Sequence, residues 1–183
     1  MQKVPLEKRL SIVKKNKARL EKALNVSLEF SGKTVLIESE DSFAEYLAGE
    51  ILDSISLGFD IDTALLLKDT DFMLKKIDIK TRTKSSRVHI VIGRIIGKQG
   101  RTKELIEKLS ECDIVLMDHI VGIIGRSENV DVASHAIEAL IRGSSQSKVY
   151  TYLEKSRNRL RELAEEDIEE MIKKEEKKEE DKK

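Results

Sequence analysis

Two closely spaced glycines mark the part of the sequence best suited to chemistry with a polyanion. The string GRIIGKQGRTKELIE, residues 93–107, places Gly97 and Gly100 on either side of Lys98 and Gln99. Glycine has no Cβ atom, so its backbone can touch a sugar-phosphate chain directly, and it tolerates the positive φ angles of a tight turn. The spacing therefore predicts an exposed loop that holds a nucleic-acid backbone.

The residues around this loop would supply charge and an apolar surface. A helix that begins just past Gly100 would point its unpaired N–H groups and positive dipole end at bound phosphates. Lys98, Arg101 and Lys103 would add positive charge, and the isoleucines before the loop would form an apolar floor under the bases. The predicted RNA-binding residues are Ile92, Gly93, Arg94, Ile95, Ile96, Gly97, Lys98, Gln99, Gly100, Arg101, Thr102 and Lys103.

Other glycine motifs do not fit this spacing. A Walker A loop has four residues between its glycines, then Lys followed by Ser or Thr. Here three residues separate Gly93 from Gly97, and Lys98 precedes Gln99. The GxGxxG fingerprint of dinucleotide-binding folds is also absent from the sequence. A tight turn without a ligand is the remaining alternative, and the basic turn and strand-strand-helix pattern that follow disfavour it.

Residues typical of catalysis, metal binding or redox chemistry are few. His89, His119 and His135 are scattered without the spacing of metal ligands, so a local packing role is favoured for each. The single cysteine, Cys112, excludes an internal disulfide and a cysteine-based zinc cluster, and it indicates a reducing compartment. We predict that Cys112 is buried and that the protein has no catalytic residues, no metal and no cofactor.

The distribution of charge, rather than its total, favours a nucleic-acid ligand. The 183 residues include 34 Lys or Arg and 34 Asp or Glu, which sum to zero. Residues 75–108 nevertheless contain eleven Lys or Arg and three Asp or Glu, a local net charge of +8. A phosphate backbone favours such a patch because each neutralised phosphate releases a counterion. The alternative is the solvated surface of a protein rich in Lys and Glu.

No pattern in the sequence indicates a membrane. No apolar run approaches the roughly 20 residues that span a bilayer, and the N-terminus lacks an apolar signal segment. Apolar residues make up 39% of the chain and aromatic residues 4%, which predicts compact aliphatic cores. We expect a soluble, cytoplasmic protein with no membrane partner.

The chain repeats one pattern of elements at an offset of 85 residues. Without a gap over residues 18–58, this offset aligns Leu20 with Leu105, Leu24 with Leu109, Ala48 with Ala133, Ile55 with Leu140 and Gly58 with Gly143. The shared pattern is a short amphipathic helix, two strands and a longer helix that ends at a C-cap glycine. A strand and a further helix precede it in the second copy. The order strand-helix-helix-strand-strand-helix predicts an α+β fold, with three helices on one face of a three-stranded sheet.

Periodicity sets the expected bounds of the elements. For the second copy they are strands at 72–81, 113–117 and 119–124 and helices at 87–96, 103–109 and 129–141. The long helix of the first copy is predicted at 42–57. Residues 60–68 contain three consecutive leucines and no Gly or Pro, so we expect a short helix that packs the two copies together. One long helix should follow Ser147 and end in a frayed or disordered tail at 173–183.

The first copy lacks the glycine loop. The offset puts Ile12 at the position of Gly97 and Lys15 at that of Gly100, and no glycine precedes Gly32. This copy therefore cannot hold RNA in the same way. A solvated helix face is the favoured role for its lysines, with occasional phosphate contact as the alternative.

These motifs resemble a known family. A glycine loop between two helices is similar to the GxxG loop of a KH domain, and GSxxSKVY at residues 143–150 is a second specific segment. With its degenerate first copy, the chain resembles the partner-of-Nob family of KH proteins, in its short archaeal form. The resemblance covers residues 2–153. It implies two tandem type I KH-like units and a role in maturation of the small ribosomal subunit.

The resemblance also implies partners. These are single-stranded RNA near the 3′ end of small-subunit ribosomal RNA, the maturation endonuclease and an initiation factor two subunit. The expected domains are a degenerate KH-like unit with a connecting helix (1–70), a KH domain with the GKQG loop (71–146) and a charged C-terminal helix and tail (147–183). One alternative is a KH-type protein adapter in translation initiation or RNA decay, with secondary RNA contact. An RNA-processing enzyme is disfavoured because no carboxylate cluster or nucleophile pair is visible.

Overall fold

The first half of the chain is built around a three-stranded antiparallel sheet. A computed structural model describes the backbone of residues 2–6 and 8–180 and the side chains of residues 2–6 and 8–166. The first half contains β1 (Gln2–Pro5), α1 (Leu10–Lys15), α2 (Lys17–Leu24), β2 (Ser27–Ser31), β3 (Thr34–Glu38), α3 (Ser42–Leu57) and α4 (Ile61–Leu65). Its strands lie in the order β1-β3-β2.

The second half has a sheet of the same kind and additional helices. It contains β4 (Phe72–Asp78), α5 (Ile79–Arg82), α6 (Val88–Ile96), α7 (Arg101–Ser110), β5 (Asp113–Met117), β6 (Ile120–Arg126), α8 (Ser127–Arg142) and α9 (Gln146–Glu180). Its strands lie in the order β4-β6-β5, again antiparallel. The predicted mixture of helices and strands is confirmed, and α3 and β5 have the predicted bounds.

Two boundaries differ from the sequence prediction for identifiable reasons. The Asp78 carboxylate accepts a hydrogen bond from the Lys80 N–H at 2.8 Å, which starts α5, so β4 ends before the predicted limit at Thr81. His119 lies in the turn between β5 and β6 rather than in a strand, because Asp118 adopts a positive φ of 54°.

The spacing between equivalent elements of the two halves changes before α3. The Glu21 carboxylate accepts a hydrogen bond from the Leu28 N–H at 2.8 Å, and Glu107 accepts one from the Ile114 N–H at 2.9 Å. These equivalent bonds lie 86 residues apart, whereas α3 and α8 begin 85 residues apart. The ungapped alignment is therefore wrong by one residue before α3. Counted from equivalent strand residues, the helix therefore begins one residue sooner in the second half.

The second sheet is covered on both faces, which the sequence did not predict. One face of β6 packs on the helices of its own half through Val121 and Ile123. The other face carries Gly122 and Ile124, and Ile124 belongs to the core of the first half. A Cβ atom at Gly122 would lie 2.8 Å from Cε2 of Phe59, the residue that follows the α3 C-cap. Glycine is therefore required for the first half to pack this closely.

The segment between the halves is helical, as predicted. Asp60 caps α4 by accepting a hydrogen bond from the Thr63 N–H at 2.8 Å, and a 3₁₀ turn at Leu66–Lys68 follows. Leu67 is 6% exposed and joins the core of the first half, whereas Leu66 is 39% exposed. The leucine run is thus only partly buried, and Phe59 is a more important link between the halves than Leu66.

Two further predictions concern Cys112 and the C-terminus. Cys112 is buried as predicted, and desolvation raises the pKa of its thiol to about 11, so the thiol is neutral near pH 7.

The backbone of α9 is helical to Glu180, so the predicted frayed tail is helical as far as residue 180. Residues 181–183 lie outside the described residues. None of the described helices is long and apolar enough to cross a membrane.

Phe59 provides a test of whether the two halves unfold together. Phe59→Ala should lower the free energy of unfolding by about 3–5 kcal/mol, because it removes a buried ring of the first half that packs on the second sheet. Phe43→Ala is the control, since Phe43 is 65% exposed and its loss should change stability by less than about 0.5 kcal/mol. Chemical denaturation followed by circular dichroism should show one shifted transition. Two separate transitions in the unmodified protein would contradict a shared core.

Candidate nucleic-acid interface

The loop between α6 and α7 is a tight turn whose backbone suits glycine. α6 ends at Ile96, and Gly97 follows with φ +74° and ψ 177°, a combination essentially restricted to glycine. Gln99 (φ +55°) and Gly100 (φ +81°) continue at positive φ before α7 begins at Arg101. The two glycines predicted from the spacing therefore occur where the turn requires them.

Gly97 has a second, steric reason to be glycine. A Cβ atom at Gly97 would lie 2.6 Å from Thr102 Cβ and 2.8 Å from Thr102 N, far inside van der Waals contact. Thr102 is the second residue of α7 and is only 2% exposed. The sequence suggested that Gly97 is small to admit a ligand. In the structure it is small because Thr102 packs against its backbone.

Gly93 is small for a different reason, because it leaves a bare face on α6. Apart from its chain neighbours and its own helix backbone, no heavy atom lies within 4 Å of a Cβ atom placed at Gly93. Ile90, one turn earlier on the same face, is 61% exposed. The sequence prediction missed Ile90, although its i−3 spacing from Gly93 could have indicated it. A bare backbone beside an exposed apolar side chain can receive a flat aromatic ring.

The positive field at the loop comes from fewer cations than predicted. Lys98 and Arg101 are exposed, and neither forms an ion pair within the described part of the chain. Lys103 instead pairs with Glu107 at 2.6 Å, so its charge is compensated along α7. No side chain caps the first turn of α7, which leaves backbone N–H groups pointing toward the loop. Lys98, Arg101 and this helix end together favour an anion.

Three of the predicted site residues are buried or make hydrogen bonds within the protein. Ile95 is 1% exposed and belongs to the core of the second half, so it cannot form part of an apolar floor. Ile92 and Ile96 are half-buried and stay available in part. Thr102 is buried, and the Arg94 guanidinium donates a hydrogen bond to the Ser144 carbonyl oxygen. Their types and spacing gave no sign of these internal roles.

The segment at residues 143–150 lies directly behind the loop. Gly143, with φ +106°, caps the C-terminal end of α8, and α9 begins at Gln146. The Gln146 side-chain amide donates a hydrogen bond to Thr102 Oγ1 at 2.8 Å, and the Tyr150 hydroxyl lies 3.0 Å from the same oxygen. The two segments that carried the sequence resemblance are therefore in direct contact, although more than forty residues separate them.

The corresponding part of the first half has no such loop, as predicted. A single residue, Asn16 at φ −109°, separates α1 from α2, and its side-chain amide donates to the Ile12 carbonyl at 2.9 Å. Two of the nearby cations are engaged: Lys14 lies 5.5 Å from the Phe30 ring centre, and Lys17 pairs with Glu21. This junction offers neither a bare backbone nor a cluster of free charges.

Catalytic and metal-binding groupings are not visible in the described part of the chain. Among the described residues, no three His, Cys, Asp or Glu side chains are close enough to hold a metal ion. His119 lies in the turn between β5 and β6, 3.9 Å from Asp78 at the end of β4. Neither residue belongs to the loop between α6 and α7. The arrangement at the loop is suited to binding a phosphate backbone rather than to acid-base chemistry.

Comparison with known proteins relates this geometry to a family. Residues 73–158 match the model for the second KH domain of PNO1, a eukaryotic-type KH domain (KH-domain type I). The chain is 32% identical over 170 residues to the KH domain-containing protein MJ0443 of Methanocaldococcus jannaschii, covering 86% of this chain and 75% of that protein. It is 36% identical over 117 residues to the pre-rRNA-processing protein pno1 of Emericella nidulans, covering 62% of this chain and 45% of the fungal protein. The chain thus spans about half of that relative.

The fold of the chain is also similar to that of a solved structure. The structure described as an a/eIF2alpha-aDim2p-rRNA complex from Pyrococcus horikoshii OT3 superimposes with a TM-score of 0.78 at 29% sequence identity. The match covers 86% of this chain and 93% of that chain.

Alanine substitutions at Gly93 and Gly97, at the two ends of the last turn of α6, should change stability in opposite directions. Gly93→Ala should raise the free energy of unfolding by about 0.5–1 kcal/mol, because alanine suits a helix interior and meets open space. Gly97→Ala should lower it by about 2–5 kcal/mol, since it combines a glycine-only backbone with a collision against Thr102. Urea denaturation of both variants measures the difference. Equal effects would show that Thr102 does not restrict Gly97.

Proposed function

Because the chain belongs to the family of KH-domain proteins that includes PNO1, we propose that it binds single-stranded RNA through the loop between α6 and α7. The backbone contact is made by the bare face at Gly93 and by residues 97–100, and Lys98 and Arg101 attract the phosphates. Ile90, Ile92 and Ile96 offer the apolar surface beside it. The observation that carries this proposal is the open helical face at Gly93, close in sequence to Lys98 and Arg101, which form no ion pair with any described residue.

The proposed target is ribosomal RNA of the small subunit, near its 3′ end, during ribosome assembly. The fungal relative is named for pre-rRNA processing, and the similar archaeal structure is described as containing rRNA. The maturation endonuclease and an initiation factor two subunit are the proposed protein partners. The presence of a/eIF2alpha in that archaeal complex supports the second of these. Binding without catalysis is the proposed mode of action.

The proposed domain organisation is two tandem type I KH-like units followed by a helix. The unit at 1–70 is degenerate, the unit at 71–146 carries the GKQG loop, and 147–183 is the charged C-terminal helix and tail. The same strand order in both sheets supports two related units. The first turns of α9 contribute Val149 and Leu153 to the core of the second half, so this helix is structurally part of the second unit.

A protein adapter is the second candidate function, and one surface favours it. Phe43 and Tyr46, one turn apart on α3, are 65% and 58% exposed, and neither belongs to the loop surface. An adapter would hold a protein there and contact RNA only weakly. Steep loss of RNA affinity with rising salt would argue against that role, because phosphate contacts release counterions.

Charge reversal at the loop tip tests the RNA-binding proposal. Lys98→Asp combined with Gln99→Asp changes the charge by −3 at two exposed positions. A unit charge about 6 Å from a phosphate is worth roughly 2–3 kcal/mol at an effective dielectric of 20, and about 1 kcal/mol after salt screening. RNA affinity should therefore fall by about a hundredfold or more.

The first half offers a matched control. Ser11→Asp combined with Lys15→Asp also changes the charge by −3 at exposed positions of α1. Val13, which the ungapped repeat would pair with Lys98, is fully buried and is unsuitable for this purpose. The control should lose less than about tenfold in RNA affinity at the same salt concentration. Equal losses in filter-binding titrations of the two variants would show that the loop is not the main RNA contact.

A further inference from the structure

We propose that Gln146 and Tyr150, in the first turns of α9, are positioning residues that hold the RNA-binding loop through the buried Thr102 hydroxyl. This inference rests on the proposed function and assigns a role in it to a helix outside the loop. Neither side chain needs to touch the RNA. Their effect is to fix the backbone of Gly97, which the RNA does touch.

One side-chain amide connects the two helices that border the loop. Gln146 Nε2 donates to Thr102 Oγ1 at 2.8 Å, in the first turn of α7. The same nitrogen lies 3.3 Å from the Arg94 carbonyl oxygen, in the last turn of α6. An amide nitrogen carries two protons, so both bonds can form together. Gln146 thus joins the two sides of the loop from behind.

Thr102 passes this restraint to the loop backbone. Its Oγ1 accepts from Gln146, so its own proton is free for the Tyr150 hydroxyl at 3.0 Å. Two partners fix the rotamer of a β-branched side chain that is already stiff at χ1. Thr102 Oγ1 lies 2.1 Å from the Cβ position of Gly97, so a rotamer that put the bulkier methyl group there would crowd the Gly97 backbone. The shape of the loop therefore depends on contacts made by α9.

The start of α9 is rigid enough for this role. Val149 is 2% exposed and Leu153 is fully buried, and both belong to the core of the second half. Gln146 and Tyr150 are four residues apart, so they lie on one face of the helix. The Arg94 guanidinium, bonded to the Ser144 carbonyl oxygen, ties the α8–α9 junction to α6. The loop is therefore held by a fixed part of the second half rather than by a free tail.

Isosteric changes test this role without altering the loop itself. Thr102→Val removes the hydroxyl and keeps the shape, and Tyr150→Phe removes only its partner oxygen. The probe is a fluorescein-labelled single-stranded RNA of about 12 nucleotides from the 3′ end of the small-subunit ribosomal RNA. Each variant should bind this RNA about three- to tenfold more weakly. The double variant should lose no more RNA affinity than the single variant that loses more, because both changes break the same hydrogen-bonded link.

Two further variants separate positioning from general stability. Ser134 is as buried as Thr102, and its hydroxyl donates to the Val130 carbonyl oxygen at 2.7 Å within α8. Ser134→Ala should lower the melting temperature comparably but leave RNA affinity within about twofold. Thr102→Ser, which restores the hydroxyl, should recover most of the affinity lost in Thr102→Val. Affinity should therefore follow the hydroxyl, not the melting temperature.

The outcomes distinguish this inference from the proposed function. If Lys98→Asp with Gln99→Asp abolishes binding while Thr102→Val and Tyr150→Phe bind within twofold of the unmodified protein, the positioning role is wrong and the RNA site stands. Fully additive losses in the double variant, or an equal loss in Ser134→Ala, would also overturn the positioning role. If the unmodified protein does not bind the RNA, or the charge reversal has no effect, the proposed function itself is wrong.

Discussion

The packing of Thr102 against the Gly97 backbone is the contact on which the shape of the loop between α6 and α7 depends. It leaves no room for a side chain at Gly97, and it requires Thr102 to face inward, where Gln146 and Tyr150 engage its hydroxyl. With its inner side filled in this way, the loop presents its outer side to solvent as bare backbone. The first turn of α7, which is free of side-chain caps, then faces any phosphate held there.

A second glycine contact joins this unit to the rest of the chain. The Phe59 ring packs over Gly122 in the middle strand of the second sheet, so the face opposite the helices of the second half is covered by the first half. The first half therefore has a structural use even without a glycine loop of its own, because it buries the second face of this sheet.

Local constraints were predictable from the sequence, and long-range ones were not. The glycine loop and the C-cap at Gly143 follow from backbone demands that a few residues express on their own. The burial of Ile95 and Thr102 depends on α8 and α9, which follow later in the chain. The one-residue register error arose because the equivalent bonds of Glu21 and Glu107 leave no trace in hydrophobic periodicity.

The NMR signals of glycine backbone amides give the most direct test of where RNA binds, because the nine glycines of the chain are spread over both halves. Titration of the ¹⁵N-labelled protein with single-stranded RNA can be followed by ¹H–¹⁵N correlation spectra. The amide signals of Gly93, Gly97 and Gly100 should move most, while those of Gly32 and Gly58 in the first half should stay within experimental error. Largest movements at the first-half glycines, with the loop signals unchanged, would contradict RNA binding at the bare face of α6.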